Sequence, residues 1–338
     1  MLKQKLNWMN STLVKGVMIM AAVAVGYLLM ATKEAAQVNE QQTARMAIST
    51  TPLSAPIIIA QELDYFTEQN IYVELQPLRG GHLCFEALMK GDADLATSSE
   101  SVVMFNSFRR SDFRIISSFV ESDNDIKLLS LTTSELSTPQ QLRGKRIGMV
   151  QSSASEFFLY AYLIMTGHAD LSIIPIYMAP QDLGPALLAG EVDAISIWEP
   201  YGYRLHKAYG DKIASLNSKG SYNLSFNLIT NTHNNLSDEQ LVSILTALRK
   251  ASQYIASSPE QAKQLVSDYL NISPKQLNWG WEDYIFRLSL NNSLIANLQT
   301  QARWAKAANL VDAKQLPDYR LLIDDKYLTQ ALLINRDH

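Results

Sequence analysis

The chain has 338 residues, 47% of them hydrophobic and 18% charged, which suits two lobes with cores of their own and excludes a disordered polymer. A net charge of −4 gives no basic surface for nucleic acid. The single cysteine, Cys84, excludes an internal disulfide and a zinc ribbon.

Residues 1–35 read as a segment apart. Gly16 to Thr32 carries no charge, with Lys3, Lys5 and Lys15 before it and Lys33 after it. At ~1.5 Å rise per residue the run spans roughly 25 Å, slightly short of a ~30 Å hydrocarbon core, and flanking lysines can snorkel across the gap. Basic residues ahead of the apolar run place the N-terminus in the cytoplasm and the body across the membrane. An uncleaved inner-membrane anchor is expected. A cleaved signal peptide that leaves a soluble periplasmic body is the alternative, opposed by bulky Leu29 where a small residue is preferred. Residues 36–44 are a polar, glutamine-containing tether.

A first lobe is expected to begin at 45–131. Arg45 to Thr50 reads as a strand, and Thr51 to Pro56 as a loop opening a helix. Ile71, Val73 and Leu75 alternate with polar residues, as in a strand. Arg79-Gly80-Gly81-His82 is a loop before a helix through Phe85 and Leu88. Thr97-Ser98-Ser99-Glu100 opens the next helix with capping chemistry, and Arg114 to Val120 and Lys127 to Leu131 are strands. The chain is expected to cross around Thr132 to Ser137 into a second lobe, 132–222. There Arg146 to Val150 is a strand running through Gln151 to Glu156 into a helix, and Ile173 to Tyr177 is the next strand. Tyr222 to Thr230 returns to the first lobe, whose second part, 223–338, is mainly helical.

One feature organises this order. Ala87 to Glu100 and Ala186 to Glu199 align without a gap as Ala-Leu-apolar-x-Gly-acid-x-Asp, then small or apolar residues, then Glu. In each, a helix ends on a glycine at its C′ position and a buried strand follows. Ligands sit at the carboxyl ends of strands in open α/β sheets, so two such units imply two similar lobes with a ligand between them.

The best ligand-contact candidates are Ser152, Ser153 and Ser155, at a helix start whose free N–H groups and positive dipole end suit an anion; helix capping alone is the other reading of these serines. Glu100 and Glu199 occupy equivalent places, where they either receive a donor on the ligand or support the helix starts behind them. Trp198 is either a cleft wall or core. No Gly-x-Ser-x-Gly, phosphate-binding loop or His-Glu-x-x-His occurs, and the five histidines have no metal-ligand spacing. No catalysis, cofactor or metal is expected.

These phrases together resemble the nitrate/sulfonate/taurine-type solute-binding proteins of ABC importers: Ala55-Pro56 leading to Glu62 to Phe66, Gly91 to Asp94, Leu142 to Gly148, Ser152 to Ser155, and Gly190 to Asp193 with Trp198 to Tyr201. The resemblance covers about residues 45–312. It implies the α/β, two-lobed type II periplasmic-binding-protein fold with a hinge. It further implies contacts at Ser54, Ala55, Pro56, Gly80, Gly81, His82, Thr97, Ser98, Ser99, Glu100, Ser152, Ser153, Ala154, Ser155, Trp198 and Glu199. A small solute, an ABC permease and its ATPase would be the partners of a monomeric receptor. A solute-sensing input to a membrane signalling partner is the alternative. A pyrimidine-synthase-like enzyme shares the fold, but its cysteine-rich motif is missing. Asp64 stands where the solute-binding family often has glycine.

Overall fold

The structure is a computed structural model that describes residues 43–334. The expected anchor, residues 1–35, and most of the tether lie outside the described residues. Among the described residues no helix is long and apolar enough to cross a membrane.

In chain order the first part comprises β1 (Ala44–Ser49), α1 (Ala55–Glu62), α2 (Tyr65–Glu68), β2 (Val73–Leu78), α3 (Gly81–Lys90), β3 (Leu95–Ser99), α4 (Glu100–Ser107) and β4 (Phe113–Ser122). Next come β5 (Ile126–Leu131), β6 (Arg146–Met149), α5 (Ala154–Met165), β7 (Ile174–Tyr177), α6 (Pro180–Leu188), β8 (Ala194–Trp198), α7 (Tyr201–Tyr209) and β9 (Ile213–Ser215). The last part is β10 (Leu224–Asn231), α8 (Asp238–Ser257), α9 (Pro259–Leu270), α10 (Pro274–Asn278), β11 (Tyr284–Ser289), α11 (Asn292–Ala307) and α12 (Lys326–Leu333).

These strands make two sheets, ordered β11-β4-β10-β3-β1-β2 and β7-β6-β8-β5-β9. Each contains the same unit: a parallel trio (β2-β1-β3 or β7-β6-β8) with an antiparallel strand beside its third member (β10 or β5). The inner parallel strands carry small or branched apolar residues on both faces, as burial on both sides demands; Met46, Ala47 and Ile48 of β1 and Ile147 and Met149 of β6 are fully buried.

The echo has a physical purpose visible in the sheets. Gly91 and Gly190 turn the chain at φ +80° and +71°, a region that suits glycine. Asp94 and Asp193 then each seize an arginine that opens the lobe's first parallel strand. Asp94 Oδ2 accepts from the Arg45 backbone N–H at 2.9 Å and from Nε at 3.1 Å, while Oδ1 accepts from Nη2 at 2.8 Å. Asp193 repeats this on Arg146 at 2.8, 3.3 and 2.9 Å. In return the Asp94 and Asp193 N–H groups donate to the arginine carbonyls, both at 2.8 Å. The clamps set the parallel registers Met46 to Leu95 and Ile147 to Ala194.

The first crossing lies earlier than expected. β4 belongs to the first sheet, but β5 pairs with β8 and β9 in the second, so Ile126–Leu131 belongs to the second sheet and the chain crosses between sheets at residues 123–125. Asp123-Asn124-Asp125 has the composition of a tight turn, while Thr132 to Ser137 has that of a linker; strand pairing, invisible in composition, decides between them. The second crossing follows β9, and β10 re-enters the first sheet between β3 and β4. Asp64 adopts φ +56° at the start of α2, a left-handed position that aspartate tolerates better than most residues.

Replacing Asp94 with alanine removes a bidentate ion pair and a backbone acceptor together. A loss of about 1–3 kcal/mol is expected, lowering the Tm by roughly 3–8 °C in calorimetry; a shift under 1 °C would show that the clamp does not set the strand.

Candidate functional site

The carboxyl ends of the parallel strands from both sheets gather around one cavity of about 40 Å³. From the first lobe come Ser49, Thr51 and Leu53 after β1, Gly80 to His82 after β2, and Ser99 at the end of β3. The second lobe supplies Ser153 and Ala154 after β6 and Trp198 at the end of β8. Asp125 and Ile126 of the first crossing, with Leu224 and Phe226 of β10, complete the wall.

Local chemistry explains these positions. Gly80 has φ +107°, and a Cβ on Gly81 would stand 2.9 Å from Ser98 Cα and 3.0 Å from Phe226 Cζ. Only glycine lets the start of α3 approach β3 and the Phe226 ring this closely, and Ser98 Oγ donates to the Gly81 carbonyl at 3.0 Å. Across the cavity, Ser153 caps α5: its Oγ accepts from Ser155 N–H at 3.2 Å and donates to the Val150 carbonyl at 2.7 Å. Ser99 caps α4 by accepting from Val102 N–H at 3.4 Å. Several helix starts therefore lie near the cavity, each a source of positive potential.

Of the residues singled out in the sequence, Gly80, Gly81, His82, Ser99, Ser153, Ala154 and Trp198 line the cavity together. The others stand behind it. Ser54 donates to the Ser49 carbonyl at 2.7 Å, and Ala55 and Pro56 are buried in the first turn of α1. Thr97 Oγ1 accepts from Ser49 N–H at 3.0 Å, holding the end of β1. Ser152 sits at φ +53° and its N–H donates to Glu156 Oε2 at 2.7 Å; Ser155 Oγ accepts from Val150 N–H at 3.1 Å.

The two glutamates of the echo hold helices in place. Glu100, fully buried, accepts from the Ser225 N–H and hydroxyl at 2.8 and 3.0 Å and from Gln301 Nε2 at 3.0 Å. It thereby ties α4 to β10 and α11. Glu199 accepts from Tyr203 N–H at 2.9 Å and from Trp279 Nε1 at 2.8 Å. Neither glutamate lines the cavity.

Thr51, Asp125 and Phe226 are wall residues that the sequence did not single out, and Asp125 is the acidic one among them. It is 3% exposed and burial pushes its carboxyl up to about 7. Its place in an acidic, turn-like run concealed it; the one available signal was an aspartate directly before an apolar strand. Burial also lowers His82, leaving a neutral imidazole at pH 7. The thiol of Cys84, inside α3, is pushed up by burial to about 12 and is no nucleophile at neutral pH. Among the described residues no His, Cys, Asp and Glu cluster has the makings of a metal site.

Residues 51–262 match the family described as NMT1/THI5 like. The chain belongs to that family. It is 24% identical to a putative aliphatic sulfonates-binding protein of Bacillus subtilis over 326 residues, which cover 94% of this chain and 97% of the relative. The alkanesulfonate-binding protein SsuA of Xanthomonas axonopodis pv. citri, bound to MOPS, superposes with a TM-score of 0.71 at 17% identity, covering 84% of this chain and 98% of that one. The periplasmic aliphatic sulphonate binding protein SsuA of Escherichia coli gives 0.70 at 19% identity, covering 84% and 92%. The mixed α/β, two-sheet periplasmic-binding-protein fold is thus shared. It is not confined to binding proteins, since the desulfurization enzyme DSZB shares it at a TM-score of 0.62 and 14% identity, covering 87% of this chain and 99% of that one.

Glu100 gives a pH test of the framework. Burial raises its carboxyl from 4.5 to about 7 against its hydrogen-bond donors, so between those values the folded state holds a proton that the unfolded state has lost. Stability from this group is complete below about pH 4.5 and is lost as pH rises through about 7. Thermal melts from pH 5 to 8 should show a fall in Tm that is smaller in Glu100→Gln; an identical fall in both proteins would contradict the assignment.

Proposed function

We propose that the chain is the solute-binding receptor of an ABC importer and performs no chemistry itself. The observation that carries this reading is the convergence of equivalent strand ends from two sheets on one cavity that both lobes wall. A solute there touches Gly80 to His82 of one lobe and Ser153 and Trp198 of the other, contacts that no single lobe provides. Binding then favours the arrangement in which the lobes are closed, with residues 123–125 and the segment after β9 as the hinge strands. The solute class is that of small polar molecules such as sulfonates, nitrate or taurine. Partners are a permease and its ATPase, and the charge-free Gly16 to Thr32 stretch would hold the receptor at the outer face of the inner membrane. A buried, high-pKa thiol and a neutral, isolated imidazole support a binding role over catalysis.

The test is a thermal-shift screen of sulfonates, nitrate, amines and pyrimidines on the wild-type protein and on Ala154→Trp, which fills the cavity from α5. At 100 times Kd a ligand adds about 2.7 kcal/mol, a rise in Tm of roughly 5–10 °C. At least one class should produce it in the wild type, and Ala154→Trp should lose it while keeping its ligand-free melt within about 3 °C. Retention of the shift in a folded Ala154→Trp protein would place the ligand elsewhere.

A further inference from the structure

The cavity contains a charge that the receptor reading leaves unused. Asp125 Oδ1 accepts from the Tyr284 hydroxyl at 2.9 Å, but Oδ2 is buried without a hydrogen-bond partner. Thr51, in the loop after β1 and also on the cavity wall, has a buried Oγ1 without a partner. Native proteins pair nearly all such groups, because a desolvated acceptor left alone is costly.

On the cavity wall itself no side-chain cation faces this carboxylate. Among the described residues no lysine or arginine lines the cavity, and His82 is neutral. Lys127 lies close enough to interact, but its ammonium donates to the Asn124 carbonyl and its field is shared with Glu199 and Asp283. Those two acids add like charge around Asp125. A bare alkanesulfonate would bring another negative group against this wall. A solute bearing an N–H would instead satisfy the orphaned oxygen.

We propose that Asp125 determines the specificity of the cleft, with Oδ2 accepting a hydrogen bond from an amine or amino-heterocycle nitrogen on the bound solute. The assignment rests on the receptor reading and narrows it. Cations stand beside the cavity instead: Arg79, after β2, and Arg204 of α7 line a neighbouring pocket of about 230 Å³ that shares Thr51, Gly80 and Trp198 with it. An acidic group on the solute would therefore lie toward Arg79 and Arg204 while its nitrogen lies toward Asp125. An ammonium at Oδ2 favours the ionised carboxylate, offsetting the burial that raises it.

The experiment is calorimetric titration of the full-length protein at pH 7.5 with matched pairs that differ in one amino group: taurine against ethanesulfonate, and 4-aminopyrimidine against pyrimidine. The amino member of at least one pair should bind the wild type at least tenfold more tightly than its partner. In Asp125→Asn, of the same shape but uncharged, that preference should fall to threefold or less. Equal or tighter binding of the amino-free member to the wild type overturns the assignment without any variant, as does a preference that survives in Asp125→Asn. Failure of all four compounds to bind overturns it as well. The receptor reading falls separately, only if no compound of the wider thermal-shift screen binds.

Discussion

Two aspartate–arginine clamps underlie the arrangement of the molecule. Each is set by a glycine turn, and each joins the third parallel strand of a lobe to the first through backbone and side chain at once. The geometry matters more than the Coulomb attraction, since both arginines are partly exposed and exposed pairs contribute little. A bidentate grip that also takes the backbone N–H fixes where one strand starts against the other. With the amino ends fixed, the carboxyl ends of β1 and β3, and of β6 and β8, finish level with one another. The cavity is what lies beyond those ends.

From that placement follows the division of labour among the polar groups. Serines and threonines at the strand ends mostly close local backbone bonds: Ser54 and Thr97 hold the end of β1, Ser153 and Ser155 shape the entry to α5. The echo glutamates brace helices against the sheets. What remains on the cavity wall is a small set: Gly81 at the start of α3, the rings of Trp198 and Phe226, and Thr51 and Asp125, whose buried Oγ1 and Oδ2 lack partners. The wall is consequently largely apolar, with one buried carboxyl group on it and two arginines in the pocket beside it.

The sequence carried the architecture well because the echo is a local signal. A glycine after a helix, an aspartate three residues on and an apolar run can be read in one pass, and their repetition implied two lobes. Of the cavity residues, Trp198 lies near the end of the second echo and Ser153 belongs to a serine-rich helix start, both local signals, while Gly80 to His82 came with the family resemblance. Asp125 and Phe226 were not legible. Asp125 sits in a run whose composition reads as a turn, and only the assignment of β4 and β5 to different sheets makes it a crossing. Phe226 faces the cavity because β10 inserts antiparallel between β3 and β4, a pairing between residues more than a hundred positions apart. Glu100 and Glu199 show the converse: equivalent sequence places mark equivalent bracing, since a helix start beside a strand end needs an acceptor whether or not a ligand is near.

The central claim is that the strand ends of both lobes form one solute site. Amide hydrogen exchange, followed by mass spectrometry with and without a solute that raises the Tm, tests it most directly. The account predicts slowed exchange in three regions together: residues 79–84, 151–156 and 123–126, in both lobes and at the crossing between them. Slowing confined to the strand ends of one sheet, or lying outside these three regions, would contradict it.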